Sequence, residues 1–237
     1  MKINVKEFLK VLSAVKPGLA NKEILEQSTN FIFLDKQVMT YNDEISVRHP
    51  IDIDLNGSVS AINLYGLLQK IKEDNIEVEQ SDKEILFSGI ESKFKSGIII
   101  DAEIKLPLDE LNFPIPKRFR RLPDKFMEAI KYCSVSVSSD ASRPHLTCIH
   151  FTESFIESCD NYRITRYAIT GFPFKSVKIP FRLIQELSKF VPTQIAQVHN
   201  WIHFKNADNV IYSCRDFFGD YPDLSFFVGF DGKELNF

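Results

Sequence analysis

Glycine is scarce in this sequence, with 9 residues against 21 phenylalanines. A phosphate-cradling loop needs clustered glycines, so that class of site is excluded, and rich aromatics argue against disorder and for strands and packed cores. Cysteine is rarer still, with 4 residues. Cys133, Cys148, Cys159 and Cys214 lie far apart and form no CxxC pair, which points to a reduced, intracellular, cytoplasmic setting. No secretory signal pattern is present. No apolar run approaches the ~20 residues of a membrane span, and the longest candidate, SGIIIDAEI, reads as a strand. Excess charge of one sign is also missing. The net charge is −3, with 44% apolar and 26% charged residues, ordinary for a soluble globular protein. A nucleic-acid role would need its charge sorted onto one surface.

What the sequence does contain is a repeat. Slid against itself by 118 residues, the chain brings Phe8 onto Phe126, Leu12 onto Ile130, Thr29 onto Thr147, Phe31 onto Ile149, Phe33 onto Phe151 and Val38 onto Ile156. One extra residue at the following turn then places Asn42 on Asn161, Ile45 on Ile164, Leu64 on Leu183, Leu68 on Leu187 and Ile71 on Phe190. A period of this length in a 237-residue chain indicates two tandem domains rather than a solenoid.

Each half follows one plan. An amphipathic helix opens it, VKEFLKVLSAVK and then DKFMEAIKYCSV, with apolar residues at helical spacing. An alternating hairpin region follows, NFIFLDKQVMTYNDEISVRHPIDI and then TCIHFTESFIESCDNYRITRYAI. A short strand enters a second helix, VSAINLYGLLQKIKE and then VKIPFRLIQELSKFV. Strands finish each half, IEVEQSDKEILFSGIESKFKSGIII and then IAQVHNWIHFKNADNVIYSCRD. The expected class is α+β: two domains, residues 1–115 and 116–237, each with two helices packed on antiparallel sheets. The seam falls in PIPKRFRRLP, residues 114–123, whose prolines and four basic residues read as an exposed linker.

Within ESCDNYRITRYAI, two alternating stretches flank the polar knot CDNYR. The pattern is strand, turn, strand, yet the turn is dense with side chains that could grip a partner.

Four stretches of the second half, SVSSDASRPHLTCIHF, SCDNYRITRYAI, VKIPFRLIQELSKF and CRDFFGDYPDLSFFV, together resemble elements of the bacterial sliding clamps, the beta subunit of DNA polymerase III, in that family's order and spacing. MKINVKEFLKVLSAV and LYGLLQKI carry a weaker resemblance in the first half. The resemblance implies clamp-like domains, six to a ring around duplex DNA, with helices lining the hole and sheets outside. The family's chains hold three domains and close as dimers. Two are counted here, so either three copies form the ring or a third domain is missing, and GKELNF stands where a third repeat would begin.

Sliding requires sequence-independent attraction between Lys or Arg and phosphates. Stretches 5–16, 63–74, 124–135 and 181–191 carry net charges of +2, 0, 0 and +1, so the remainder of the chain carries −6. That sorting has the right sign and is modest. The resemblance, with the helix faces, points to Lys10, Lys22, Arg143, His145, Arg182 and Lys189 as DNA neighbours. It also implies a hydrophobic cleft for short peptides of the polymerase and clamp loader. Carried over by position, its wall comprises Leu146, Cys159, Asn161, Tyr162, Arg163, Ile164, Pro222, Phe226 and Phe227. Cys159 stands where the family has Thr, Asn161 where it has Gly, Tyr162 where it has His, and Phe226 where it has Arg, so the pocket is more aromatic.

Other constellations are weaker. Ser139, Asp140 and His145 share one loop and lack a nucleophile elbow. Cys148 with His150, and His199 and His203 with Trp201, alternate on strands, but no CxxC or HExxH motif supports a metal. Asp208 and Asp231-Gly232 are turn residues. The expectation is therefore a non-enzymatic processivity factor needing no cofactor or metal and no membrane, assembling into a ring on duplex DNA. The rivals are a clamp-derived adaptor that binds peptides without loading on DNA, and a metal-dependent hydrolase of α+β fold.

Overall fold

The structure is a computed structural model and describes residues 1–106 and 118–228. Residues 114–117 of the proposed linker, Asp231-Gly232 and the GKELNF segment lie outside the described residues. The fold is α+β, and packing does not follow the chain linearly. One compact unit comprises Met1–Phe119 with Pro192–Val198 and Ile202–Cys214, the other Arg120–Val191 with His199–Trp201 and Arg215–Phe237.

In the first unit β1 (Lys2–Asn4) runs into α1 (Val5–Val15), where the Asn4 side chain accepts the Glu7 N–H at 3.0 Å as an N-cap. Val5, Phe8, Leu12 and Val15 form the buried stripe, the three- and four-residue spacing of a helix face. A 3-10 turn (Lys16–Gly18) follows. Strands β2 (Asn30–Leu34), β3 (Gln37–Tyr41), β4 (Ile45–Pro50) and β5 (Gly57–Ser60) precede α2 (Ala61–Lys70). Strands β6 (Asn75–Gln80), β7 (Glu84–Gly89) and β8 (Lys95–Ile99) pair with β1 in the order β1-β6-β7-β8. In β6 only Ile76 and Val78 are buried, the alternation of a sheet with one wet face. In β2 Phe31, Ile32 and Phe33 are all fully buried, so both of its faces are covered. Helix α2 ends at Lys70 rather than at 74, because Ile71 turns extended to feed β6.

In the second unit a two-residue strand, β9 (Arg120–Arg121), precedes α3 (Phe126–Cys133). Strands β10 (Cys148–Phe151), β11 (Phe155–Cys159), β12 (Ile164–Ala168) and β13 (Val177–Pro180) form a sheet in the order β12-β11-β10-β13. The expected continuous helix over 181–191 is instead two single turns, α4 (Phe181–Ile184) and α5 (Leu187–Phe190). Leu183, Ile184 and Leu187 are all buried, and the chain tightens between the turns through a Lys189 N–H to Glu186 carbonyl bond of 3.0 Å. Val191 then takes a left-handed conformation at φ 51° before Pro192, which cannot continue a helix.

The strands β14 (Gln194–Val198), β15 (Trp201–Lys205) and β16 (Ile211–Arg215) come from the second half of the sequence, yet the sheet order is β5-β2-β3-β4-β16-β15-β14. Ser213 on β16 sits opposite Ser46 on β4. These three strands thus pack largely with the first unit, although they follow α5 in the sequence.

The repeat is visible atom by atom. Tyr41 faces Ser46 as Cys159 faces Ile164, and Ile32 faces Met39 as His150 faces Glu157. All four pairs keep the offset of 118. The Thr40 hydroxyl donates to the Val15 carbonyl at 2.5 Å, and the Ser158 hydroxyl donates to the Cys133 carbonyl at 2.5 Å. In both halves a buried hydroxyl therefore closes a helix end. Phe8 meets Phe33 at 6.2 Å and Phe126 meets Phe151 at 5.7 Å between ring centroids. The extra residue expected at the turn is absent there. Asn42 accepts the Glu44 and Ile45 N–H groups just as Asp160 accepts those of Tyr162 and Arg163, so Asn42 corresponds to Asp160 and not to Asn161. The insertion comes later, since Asn30 pairs with Ser60 and Cys148 with Pro180. Leu64 accordingly corresponds to Ile184. Gly18 passes so close to Thr40 that a Cβ would lie 2.4 Å from its hydroxyl oxygen.

Candidate functional site

The turn between β11 and β12 is built by Asp160. Its Oδ1 accepts the N–H groups of Tyr162 at 2.8 Å and Arg163 at 2.7 Å, while its own N–H donates to the Arg163 carbonyl at 3.0 Å. Its Oδ2 takes Nε and Nη2 of Arg163 at 2.9 and 2.6 Å. These donors, the Tyr162 N–H foremost, hold its carboxyl below the usual carboxylate range. A side chain that makes the turn so completely leaves Asn161 and Tyr162 free to face outward. Tyr162 is 93% exposed.

A second loop meets this turn. Arg143, at the start of the 3-10 turn Pro144–Thr147, donates from Nη1 to Asn161 Oδ1 at 2.6 Å and lies 3.9 Å from Asp140. Leu146 on that turn packs with Cys159 and Leu224 in one buried cluster, against which Tyr221 rests. The Tyr221 hydroxyl accepts the Cys159 N–H at 3.1 Å and points its proton toward Cys159 Sγ at 3.7 Å. Burial pushes both the Tyr221 phenol and the Cys159 thiol upward, so both are neutral at physiological pH.

The segment carrying Tyr221 and Leu224 continues into a single turn, α6 (Ser225–Val228), whose Ser225 N–H is accepted by Asp223 Oδ1 at 2.9 Å. Phe226 and Phe227 pack edge to face at 5.6 Å and remain 86% and 55% exposed. Pro222 is half-buried and Ile164, at the mouth of the turn, is exposed. Of the nine expected cleft residues, Leu146 and Cys159 are buried in one cluster with Leu224. Asn161, Tyr162, Arg163 and Ile164 lie on the turn that follows Cys159 and at its exit into β12. Pro222, Phe226 and Phe227 belong to the segment anchored in that cluster by Tyr221 and Leu224. Those last two were not anticipated, although their three-residue spacing in DYPDL is the signal of one inward face.

Behind Tyr221 lies a polar row. Its ring sits 4.7 Å from that of His150. His150 Nδ1 is 2.9 Å from Glu157 Oε1, and its Nε2 is 3.0 Å from the Ser176 hydroxyl. Arg166 reaches Glu157 Oε2 through Nε at 2.8 Å and Nη2 at 2.7 Å. Glu157 is buried and its charge is matched by the guanidinium, which also lies over the Phe155 ring. This satisfies His150, so its alternation with Cys148 is a filled sheet position; burial pushes the Cys148 thiol up to about 12.

The expected DNA neighbours are scattered over both units. Lys10 is exposed on α1, off its buried stripe, and Lys22 is exposed in the loop after the first 3-10 turn. Arg182 is exposed on α4, and Lys189 on α5 is paired with Glu186 at 2.8 Å. His145 is half-buried beside Leu146, and Arg143 belongs by its bonds to the turn described above.

His203 on β15 is buried, with Nδ1 2.8 Å from the Ser213 hydroxyl. Burial first, and the Arg48 charge second, depress it to about 4. Between pH ~6.5 and ~4 the unfolded chain therefore binds a proton that the folded chain refuses. Stability should fall on acidification across that window, by about 3 kcal/mol at its lower end. Urea unfolding of the protein and of His203→Asn at pH 7.5 and 5 checks this. The variant should show the shallower pH dependence, and equal slopes would refute the assignment.

No protein-family model matches the sequence, and no curated protein matches it. Solved structures do match. The DNA polymerase III beta chain of Streptococcus pneumoniae TIGR4 is 19% identical, with a TM-score of 0.75 over 97% of this chain and 68% of that one. A DNA polymerase III beta subunit from Eubacterium rectale gives 19% and 0.76 over the same shares of each chain. The Helicobacter pylori beta clamp bound to DNA ligase peptide gives 15% and 0.74 over 94% of this chain and 68% of that one. At these identities the likeness is one of fold.

Proposed function

We propose that this chain, which has the fold of the bacterial sliding clamps, is a non-enzymatic processivity factor that encircles duplex DNA and tethers a replicative polymerase through the cleft beside the 160–163 turn. The observation that carries the reading is the fold likeness along nearly the whole chain. The two repeats, residues 1–115 and 116–237, are two of the six domains a ring needs: three copies of a two-domain chain would close it, as would two copies of a chain that carries a third. Sequence-independent contacts from Lys10, Lys22, Arg182 and Lys189 hold the DNA without stopping it. Clamp loader and polymerase use the same cleft in turn, and no cofactor is required.

The chain's own sheet suggests how copies join. Strand β4 pairs with β16 antiparallel within the first unit. The repeat equivalent of β4 is β12, and the equivalent of β16 is β8. Among the described residues, β12 and β8 are both outermost in their sheets. An edge strand left open invites pairing, and Ile99 on β8 is 82% exposed. Pairing β12 of one copy with β8 of the next repeats the internal junction head to tail, a heterologous contact that closes into a ring.

The test is native mass with retention on DNA. The expected mass is three times the 27.3 kDa of the chain, and the loaded protein should stay on circular plasmid and leave when it is linearised. Ile99→Lys places a charge on the open edge and should return the chain to monomers without unfolding it. Monomers in the unsubstituted protein, or equal retention on linear and circular DNA, would defeat the ring. Peptide binding without retention on circles would mark an adaptor instead.

A further inference from the structure

The cleft's walls and its rim carry different chemistry. Tyr162, Ile164, Phe226 and Phe227 present apolar side chains to solvent on the two segments anchored by the buried Leu146–Cys159–Leu224 cluster. Exposed aromatics gathered on two neighbouring segments are the anchoring surface of an interface. The cations nearby are spoken for. Arg163 is held on both guanidinium edges by Asp160, Arg143 is bound to Asn161 and faces Asp140, and Arg166 is turned inward onto Glu157. The acids on the Tyr221 segment are paired less completely: Asp223 feels the Arg166 charge, but both guanidinium contacts of Arg166 go to Glu157. Asp220 is exposed and has no ion pair among the described residues, and Asp223 spends its carboxylate on the Ser225 N–H. The rim is therefore net acidic while the floor is apolar.

We infer that the cleft selects a peptide segment with a Leu or Phe anchor flanked by Lys or Arg, the cationic flank lying along Asp220 and Asp223. This rests on the reading of these residues as a peptide cleft and adds its charge preference. The floor excludes water from the anchor, which supplies most of the affinity. The rim pairs are solvent-exposed, so they act as a filter of modest size that salt weakens.

Three fluorescein-labelled peptides sharing a Leu-Gly-Phe core, flanked by Lys, Gln or Glu, are titrated with the full chain. At low salt the Lys-flanked peptide should bind tightest, with roughly a tenfold gap to the Glu-flanked one for two exposed pairs. The gap should shrink below about twofold in Asp220→Asn/Asp223→Asn, and also in about 0.5 M salt. The amide oxygen that Asp223→Asn introduces can still accept the Ser225 N–H, so the turn keeps its cap and folding is preserved. Binding in which the Glu-flanked peptide equals or beats the Lys-flanked one overturns the charge preference and leaves the cleft standing. A gap that survives in the double variant overturns the assignment to Asp220 and Asp223. If no peptide binds, the cleft reading falls and the preference with it.

Discussion

Glu157→Ala is expected to destabilise the second unit by about 3–5 kcal/mol, the cost of removing one partner from a buried ion pair. Glu157 sits in the middle of β11 with His150 opposite it on β10 and Arg166 opposite it on β12. The three form one row across the sheet, joined by contacts of 2.7 to 2.9 Å. Deleting the carboxylate leaves a guanidinium largely out of water without its bonded counter-charge. The cost belongs to that stranded cation more than to the lost attraction. Glu157→Leu/Arg166→Met, which removes both charges and keeps the volume, should therefore recover most of the loss, giving a coupling of about 2 kcal/mol or more in a double-mutant cycle. Urea unfolding of the three variants at pH 7.5 reads both quantities. A loss below about 1 kcal/mol in the single variant, or strict additivity in the cycle, would show that water reaches the pair and that it plays no organising part.

The polar row backs the turn that follows Cys159. His150 is fixed by Glu157 at one nitrogen and Ser176 at the other, and its ring backs Tyr221, which in turn holds the Cys159 N–H. Each group is the support of the next, so the outward face of the turn rests on a satisfied interior and not on mobile side chains.

The local pattern of the chain was legible, and its long-range pairing was not. Alternation in NIEVEQ and apolar spacing in VKEFLKVLSAV each predict their element, because a strand or helix face is set by residues a few positions apart. The neighbour of a strand is not so encoded. Nothing in IYSCR says that it lies against ISVRH and not within its own half, since both strands are apolar and suit either partner. The helix at 181–191 comes out as two turns because nothing in its apolar spacing marks the break at Gln185 and Glu186. The turn register was misread through identity. Asn161 looks like Asn42, but the chemistry that makes this turn is a side-chain oxygen accepting two backbone N–H groups, and Asp160 provides it. The same blind spot hid the row behind the cleft. Glu in FIESC, His in CIHF and Arg in ITRYA each look like outward polar residues, and only the pairing of β10, β11 and β12 aligns them. Arg143 was expected beside phosphates, and nothing in the sequence marks the Asn161 amide it meets.

Tyr162→Ala/Phe227→Ala is expected to abolish stimulation of the cognate polymerase while leaving the fold intact. The two side chains stand on two segments, the 160–163 turn and α6, and are 93% and 55% exposed, so truncating them removes little buried surface. Stability should change by no more than about 0.5 kcal/mol, as for ordinary surface substitutions. Binding should change far more. Aromatic anchors that become desolvated on association typically cost about 2 kcal/mol or more each when truncated, so the pair should weaken a peptide about a hundredfold or more. A tether that weak no longer holds a polymerase through successive cycles of synthesis, and product length on a long primed template should fall to that of the polymerase alone. Native mass and retention on circular DNA should be unchanged, because neither residue lies on the β8 or β12 strand proposed to join copies. Ile24→Ala serves as the control: its side chain is 87% exposed in a loop remote in sequence from the turn, and it should leave stimulation as it was. Undiminished product length in the double variant would remove the cleft from this surface. Lost stimulation together with lost plasmid retention would instead trace the defect to ring assembly, and the two readouts separate those causes in one set of samples.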